Sequence, residues 1–246
     1  DLVHAFAQAA GWLEHVPALP DLESEASLVE GLDADRACKL LITYATHLSS
    51  RLEYPPLVGV ASRLEGLVEQ LGPWWRPRAR VIIADTRMVT GDTLAADELY
   101  DELVASDPIA AATTASLVYL EHYDDAQRVL AEALEHGRSE GNVIRVAYSQ
   151  TVLALLELAL GRFARARAHA SDGLELAEGA GVGYFAGLNL LTLATIDAVQ
   201  GRGKSCRDRV AQAAAKAPDR GFDDLRLKGR LTIGLLESSH GRYENV

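Results

Sequence analysis

The segment Leu158-Ala159-Leu160-Gly161-Arg162-Phe163-Ala164-Arg165-Ala166 reads as the end of an apolar helix, a Gly-Arg turn and the start of a second helix. Two later segments repeat the arrangement: Asp197-Ala198-Val199-Gln200-Gly201-Arg202-Gly203 and Glu237-Ser238-Ser239-His240-Gly241-Arg242-Tyr243. Their glycines, at 161, 201 and 241, are forty residues apart. Forty residues before Gly161 stands Glu121, within Tyr119-Leu120-Glu121-His122-Tyr123-Asp124-Asp125-Ala126. There the glycine is lost and the frame persists. Self-similarity at a period of this size is the mark of stacked supersecondary units.

Other offsets follow the same frame. Two residues after the turn stand Tyr123, Phe163 and Tyr243, with Gly203 the exception. Five after it stand Ala126, Ala166 and Cys206, and seven before it Thr114, Ala154, Ala194 and Gly234. Upstream, Gly91 fits with Ala84 and Ala96, and Leu52 fits with Ala45 and Tyr54, although Leu57 breaks the small position. Small residues let helix axes approach, and glycine accepts the left-handed backbone of a helix end. The expected fold is therefore all-α, a solenoid of about six helix pairs in one domain spanning residues 1–246. One pair cannot bury its apolar face alone, so each shelters the next.

One interval is short: Gly91 to Glu121 is thirty residues, and the deficit falls near Ser106-Asp107-Pro108-Ile109. Either this pair has shorter helices or a loop absent from the chain belongs there; the longer spacing on both sides favours the second. The map begins with a helix over Leu2–Leu13, continues through pairs turning at Leu52, Gly91, Glu121, Gly161 and Gly201, and ends on a first helix from about Asp223 to Ser239. Because the chain stops at Val246, where a partner helix is due, it reads as a piece of a longer polypeptide.

Composition narrows the function. Lys and Arg number 24 against 35 Asp and Glu, a formal charge of −11. An acidic chain is poorly suited to a phosphate backbone or an anionic membrane, so direct nucleic-acid or membrane contact is not expected. Asp1-Leu2-Val3-His4 opens no signal peptide, and two cysteines, Cys38 and Cys206, make no disulfide framework, so a cytoplasmic location is expected.

A helix pair with a small residue before the turn, an aromatic just after it and an alanine beyond resembles the tetratricopeptide repeat (TPR). The longer period here is similar to that of the large ATP-dependent LuxR-type transcription regulators that include the activator of bacterial maltose genes. Gly161-Arg162-Phe163-Ala164-Arg165-Ala166-Arg167-Ala168-His169-Ala170 with Gly173-Leu174-Glu175-Leu176-Ala177, and Val118 through Ala126, carry this likeness over roughly residues 33 to 246. The resemblance implies a right-handed superhelix that senses a small-molecule inducer or a protein partner and controls self-association. A nucleotide switch would lie upstream and a DNA-reading module downstream, in other parts of a bacterial parent chain. It also implies that first helices line the concave face. The family's inner-face offsets fall on Lys39, Thr46, Arg78, Asp85, Tyr148, Thr151, Thr195 and Lys228. Arg78 or Lys228 would hold a carboxylate and Tyr148 would stack an apolar group. The other reading is a peptide-gripping adaptor unrelated to transcription.

The remaining motifs favour plain structure. Ala198-Val199-Gln200-Gly201-Arg202-Gly203-Lys204-Ser205 satisfies a relaxed phosphate-loop pattern, but such a loop follows a strand, and a repeat helix precedes this one. His4, His15, His47, His122, His136, His169 and His240 make no metal-site pattern, and neither a metal nor a cofactor is expected. Cys38 and Cys206 read as buried thiols, and Asp124-Asp125 and Asp223-Asp224 as helix caps. Trp74-Trp75, after Gly72-Pro73, reads as packing, with a stacking platform for a sugar or drug the alternative. No set of convergent catalytic residue types emerges, so an enzyme is not expected.

Overall fold

A computed structural model describes residues 22–31, 33–216 and 222–241. The leading helix expected over Leu2–Leu13, and Arg242 and Tyr243, lie outside them. Among the described residues every regular element is helical. The chain divides into two compact units between Asp125 and Ala126.

The first unit holds α1 (Leu22–Val29), α2 (Ala34–Ser50), α3 (Tyr54–Leu67), α4 (Trp75–Val89), α5 (Thr93–Ser106) and two short helices, α6 (Pro108–Ala111) and α7 (Ser116–Tyr119). The second holds the body of α8 (Tyr123–Ser139), then α9 (Val143–Ala159), α10 (Phe163–Gly179), α11 (Gly183–Val199), α12 (Gly203–Ala215) and α13 (Asp223–Ser239). From α8 onward, helices start every twenty residues, half the period read from the sequence. The short interval between Gly91 and Glu121 is taken up by shortened helices. The four-residue α6 and α7 stand where later first helices have 17 residues, and α5 has 14.

One turn closes α2, α4 and α7 through α11. The N–H of Arg162 donates to the Glu157 carbonyl at 2.8 Å and that of Gly161 to the Leu158 carbonyl at 3.0 Å, so orphan carbonyls of the last turn are satisfied. The longer bond recurs from Glu53 to Leu48, Asp92 to Arg87, His122 to Leu117, Asn142 to Gly137, Val182 to Ala177 and Arg202 to Asp197. The geometry needs a left-handed residue at the pivot. All six turn positions read from the sequence have one: Leu52 (φ 59), Gly91 (93), Glu121 (64), Gly161 (70), Gly201 (68) and Gly241 (70). Gly141 (65) and Gly181 (70) do the same between pairs.

Small residues then set how closely the helices approach. Ala45, Ala84, Ala154 and Ala194 before the turn, and Ala96, Ala126, Ala166 and Cys206 after it, are all buried. Leu57 is buried as well, so that position tolerates bulk in the second pair. Gly173 makes room for Asn189, which would lie 2.9 Å from an added Cβ, and Gly187 admits Leu225. Within each unit, α1 through α6 and α9 through α13 pack on their neighbours in sequence. First helices also touch one another, α2 with α4 in the first unit and α9 with α11 and α11 with α13 in the second. A helix contacted on several sides must be apolar around most of its circumference, as α11 is from Gly183 to Ala198.

Two substitutions test the turn. Glu121 is exposed and strained, so Glu121→Gly is expected to raise stability by about 1 kcal/mol, and Gly161→Ala to lower it by about 1–2 kcal/mol. Urea unfolding followed by circular dichroism reads both; loss of stability in Glu121→Gly would contradict the role given to the pivot.

Candidate functional site

The first helices present the same row of positions in successive pairs. In the second unit, Ile144, Tyr184 and Asp224 are equivalent, as are Tyr148, Leu188 and Lys228, then Thr151, Leu191 and Leu231, then Leu155, Thr195 and Leu235. Ile144, Leu231 and Leu235 are exposed, while Tyr148, Tyr184, Leu188, Thr195 and Lys228 are half-buried. The rings of Tyr148 and Phe185 lie 5.2 Å apart and those of Tyr184 and Phe222 4.9 Å apart, a tilted aromatic run across α9, α11 and the start of α13. Tyr184 donates its hydroxyl to Asp224 Oδ2 at 2.6 Å, and Lys228 Nζ lies 3.4 Å from the same oxygen. Sequence reasoning missed Tyr184 and the buried Asp224. Asp223 and Asp224 do not cap the backbone as expected: Asp223 pairs with Arg226, and no side chain caps the start of α13.

The eight expected contact residues divide by chemistry. Thr46, Thr151 and Thr195 each donate a hydroxyl to the carbonyl four residues back, at 3.0, 2.8 and 2.9 Å. Thr151 is moreover buried and accepts from Asn189 Nδ2 at 2.8 Å, which makes it part of the α9–α11 interface. Thr195 lies 3.2 Å from Thr232 on α13. Lys39, Arg78, Tyr148 and Lys228 remain half-buried with polar or aromatic heads at the surface. Arg78 stacks 3.6 Å above the Trp74 ring and donates to the Trp74 carbonyl at 2.6 Å. The two tryptophans therefore separate: Trp75 packs against the core of the first unit and Trp74 is 59% exposed.

Asp85 is a packing node. Its Oδ1 accepts from the hydroxyls of Tyr100, Thr114 and Ser116, tying α4 to α5 and to the α6–α7 connection. Burial raises its carboxyl above the ordinary range, and the three hydroxyls work against that rise. Burial and the facing Asp85 charge push the Tyr100 phenol well up.

A second series has the same period. Glu157, Asp197 and Glu237, forty residues apart and each four before a turn glycine, are 1%, 0% and 4% exposed. Arg165 Nη2 reaches Glu157 at 2.8 Å and Arg162 Nη1 lies at 3.6 Å. Asp197 accepts from Arg167 at 2.9 Å, Arg202 Nε at 2.8 Å, Ser205 at 2.6 Å and Arg209. Glu237 accepts from Arg207. Arg167 and Arg207 each bind a second helix to the first helix that follows it. The signal was legible: an acid four before the turn and an arginine six after it. Burial would raise the Asp197 carboxyl, but Ser205, the guanidiniums of Arg167 and Arg202, and the charge of Arg209 outweigh it and hold the group at about 2 against an ordinary 3.8.

The other reactive types are inert by environment. Burial pushes the Cys38 thiol up to about 12 and raises that of Cys206, so neither is a thiolate near neutral pH. His122 pairs with Asp97, His136 with Glu140 and His169 with Gln150. Among the described residues no group of His, Cys, Asp or Glu is placed to hold a metal ion, and no helix is long and apolar enough to cross a membrane. The segment Ala198–Ser205 runs from the end of α11 through the Gly201 turn into α12, so no strand precedes it. No protein-family model, curated protein or solved structure matches this chain.

The Asp197 cluster makes a pH-dependent prediction. A carboxyl held near 2 when folded adds stability that is complete above about pH 5 and is lost as pH falls towards 2. Asp197→Asn strands three arginines around a neutral side chain and is expected to cost about 3 kcal/mol at pH 7. The difference between the two proteins should shrink steadily in urea unfolding repeated at falling pH, and a difference independent of pH would refute it.

Proposed function

We propose that this chain is a right-handed α-solenoid of about six TPR-like pairs, and that it is the sensing and interaction segment of a LuxR-type transcription regulator. In this reading a small-molecule inducer or a protein partner docks on the first-helix faces and changes the chain's self-association, while DNA is bound elsewhere in the parent protein. The observation that carries the reading is the repeated first-helix row. Apolar and aromatic side chains, Ile144, Tyr148, Tyr184 and Leu188, alternate along it with the polar heads of Thr195 and Lys228. Such a mixture of apolar wall and few polar groups is what small-ligand and peptide sites share. In the first unit the corresponding row offers Lys39 and the Trp74–Arg78 stack, suited to a carboxylate or a flat ring. The period, the small residues at the helix contacts and the left-handed pivots support the repeat family; the acidic charge supports a role other than gripping nucleic acid.

The single variants Arg78→Ala and Tyr148→Ala remove side-chain heads that are half-buried, so the fold should survive. In a thermal-shift screen of candidate inducers and peptides, a true ligand raises the midpoint of the wild-type chain, because it binds only the folded state. At least one variant should lose that rise and should weaken calorimetric affinity tenfold or more. A ligand whose binding is unchanged in both variants would place its site elsewhere and refute the proposal. Capture of an extended peptide, with no response to small molecules, would favour the adaptor reading.

A further inference from the structure

One carboxylate on the first-helix row is short of donors. Asp224, in the first turn of α13, is 7% exposed, and its Oδ1 is closed to solvent with no hydrogen-bond partner among the described residues. Its Oδ2 is better served: the Tyr184 hydroxyl donates at 2.6 Å, and Lys228 Nζ lies at 3.4 Å. A charge-assisted bond from an ammonium to a carboxylate usually spans about 2.7–2.9 Å, so the Lys228 contact is loose. The lysine side chain is moreover 40% exposed. A buried acceptor left unmatched carries the full desolvation penalty of its lone pairs. The fold therefore holds acceptor capacity, at a buried negative charge, that its own side chains do not use.

The surroundings of Asp224 are aromatic. The Tyr184 ring lies 4.9 Å from that of Phe222 and 6.1 Å from that of Phe185, and Tyr148 lies 5.2 Å from Phe185. Phe185 and Phe222 are buried, whereas Tyr148 and Tyr184 are half-buried and turn part of their surface to solvent. Forty and eighty residues before Asp224 stand Tyr184 and Ile144, so an acid at this position departs from the pattern of the earlier pairs. The row thus offers a π-rich wall reached from solvent, with one carboxylate at its α13 end.

We propose that this corner binds a small amine with an aromatic body, the ligand's ammonium replacing that of Lys228 at Asp224 and its ring lying against Tyr184 and Tyr148. The chemistry matches at both ends. An ammonium brings three N–H donors to a carboxylate that lacks them, and aromatic faces attract a cation electrostatically. The terminal torsion of an aspartate is soft, so either oxygen can turn towards a donor arriving along the row. Lys228 is then a built-in competitor: its ammonium neutralises Asp224 in the free chain and moves out to solvent when a better-placed donor takes over. An anionic ligand would instead meet the Asp224 charge, and a neutral one would leave that charge no better paired. The inference rests on the reading of the first-helix row as the ligand face, and adds the class of ligand.

Titration calorimetry in phosphate buffer with phenethylamine and tryptamine tests it. One equivalent of at least one amine should bind the wild-type chain. Phenylethanol and phenylacetate, which keep the ring and lose the ammonium, should bind at least tenfold more weakly. Asp224→Asn should weaken amine binding tenfold or more. Lys228→Met, which removes the competitor and keeps its stem, should tighten it threefold or more. A lysine with a merely structural role would give no such gain, and this variant decides the matter if Asp224→Asn does not fold. Absence of saturable amine binding in Lys228→Met, an affinity not raised by that change or not lowered by Asp224→Asn, or a match by phenylethanol or phenylacetate would overturn the proposal. A ligand that depends on Arg78 or Tyr148, found while both amines fail, would end this inference and leave the sensing reading in place. Amine binding that leaves self-association unchanged would uphold the corner and count against that reading.

Discussion

Eight of the thirteen described helices end on a residue whose backbone is left-handed, and the rest of the architecture depends on that pivot. The pivot reverses the chain within two residues while satisfying carbonyls that would otherwise be orphaned. A reversal so tight makes successive helices antiparallel neighbours, which is why α9 through α12 each pack on the next in sequence. Because the same reversal joins helices within a pair and between pairs, the unit of construction is one helix plus one turn, twenty residues long from α8 onward. The forty-residue period arises from alternation of side chains on that shorter backbone module. First helices must be apolar around most of their surface; second helices keep one polar face. The contrast between α11, buried along almost its whole length, and α12, buried at Cys206 and Ala213, follows from this difference.

The pivot also explains where the buried charges sit. A carboxylate four residues before the left-handed residue lies beside the carbonyl that the turn uses, and the residue just after the glycine is brought back over it. Arg162 and Arg202 occupy that following position and return to Glu157 and Asp197. A charge buried there must be paired, since an isolated carboxylate in such a place would cost several kcal/mol or take up a proton. At Asp197 and Glu237 an arginine also arrives from the preceding second helix, Arg167 and Arg207, so the pairing that makes burial tolerable also fixes one pair against the next. Hydrophobic contact alone is non-directional and permits sliding. A buried ion pair with defined partners selects a register, and small residues such as Gly173, Gly187 and Gly229 then allow the helices to close on it.

Legibility of the sequence follows the same physics. The turns at Gly161, Gly201 and Gly241 were readable because only glycine meets the backbone requirement without strain. Leu52 and Glu121 were readable only through the period, since nothing in leucine or glutamate signals a left-handed angle. Gly141 and Gly181 obey the same rule and escaped notice because their flanking residues belong to a different kind of helix. A deficit of ten residues was visible near Asp107, but the longer spacing on both sides favoured an absent loop, whereas the shortened α6 and α7 take it up. That their place would be filled by hydroxyls from Thr114 and Ser116 converging on Asp85 depends on three-dimensional proximity that no spacing encodes. The contact residues were legible to the level of the helix face. How each spends its polar atoms was not: three threonines give their hydroxyls to their own helix, and that choice depends on side-chain rotamers.

The same repetition that builds the fold makes departures from it informative. Where every pair obeys one pattern, a position that breaks the pattern has lost a packing constraint, and the local environment shows what replaced it. Leu57 replaces a small residue and is absorbed into the core, so that departure is repaired by packing. Gly203 stands where the preceding pair has Phe163, and the place it leaves faces Leu236 of α13 and His240 just after it. Trp74 stands where later first helices carry Ile144 or Tyr184, and its ring is covered only by the Arg78 guanidinium. The first departure conserves buried volume and is therefore structural. The Trp74 departure leaves an aromatic ring 59% exposed with a guanidinium stacked on it, which packing within the fold alone does not reward.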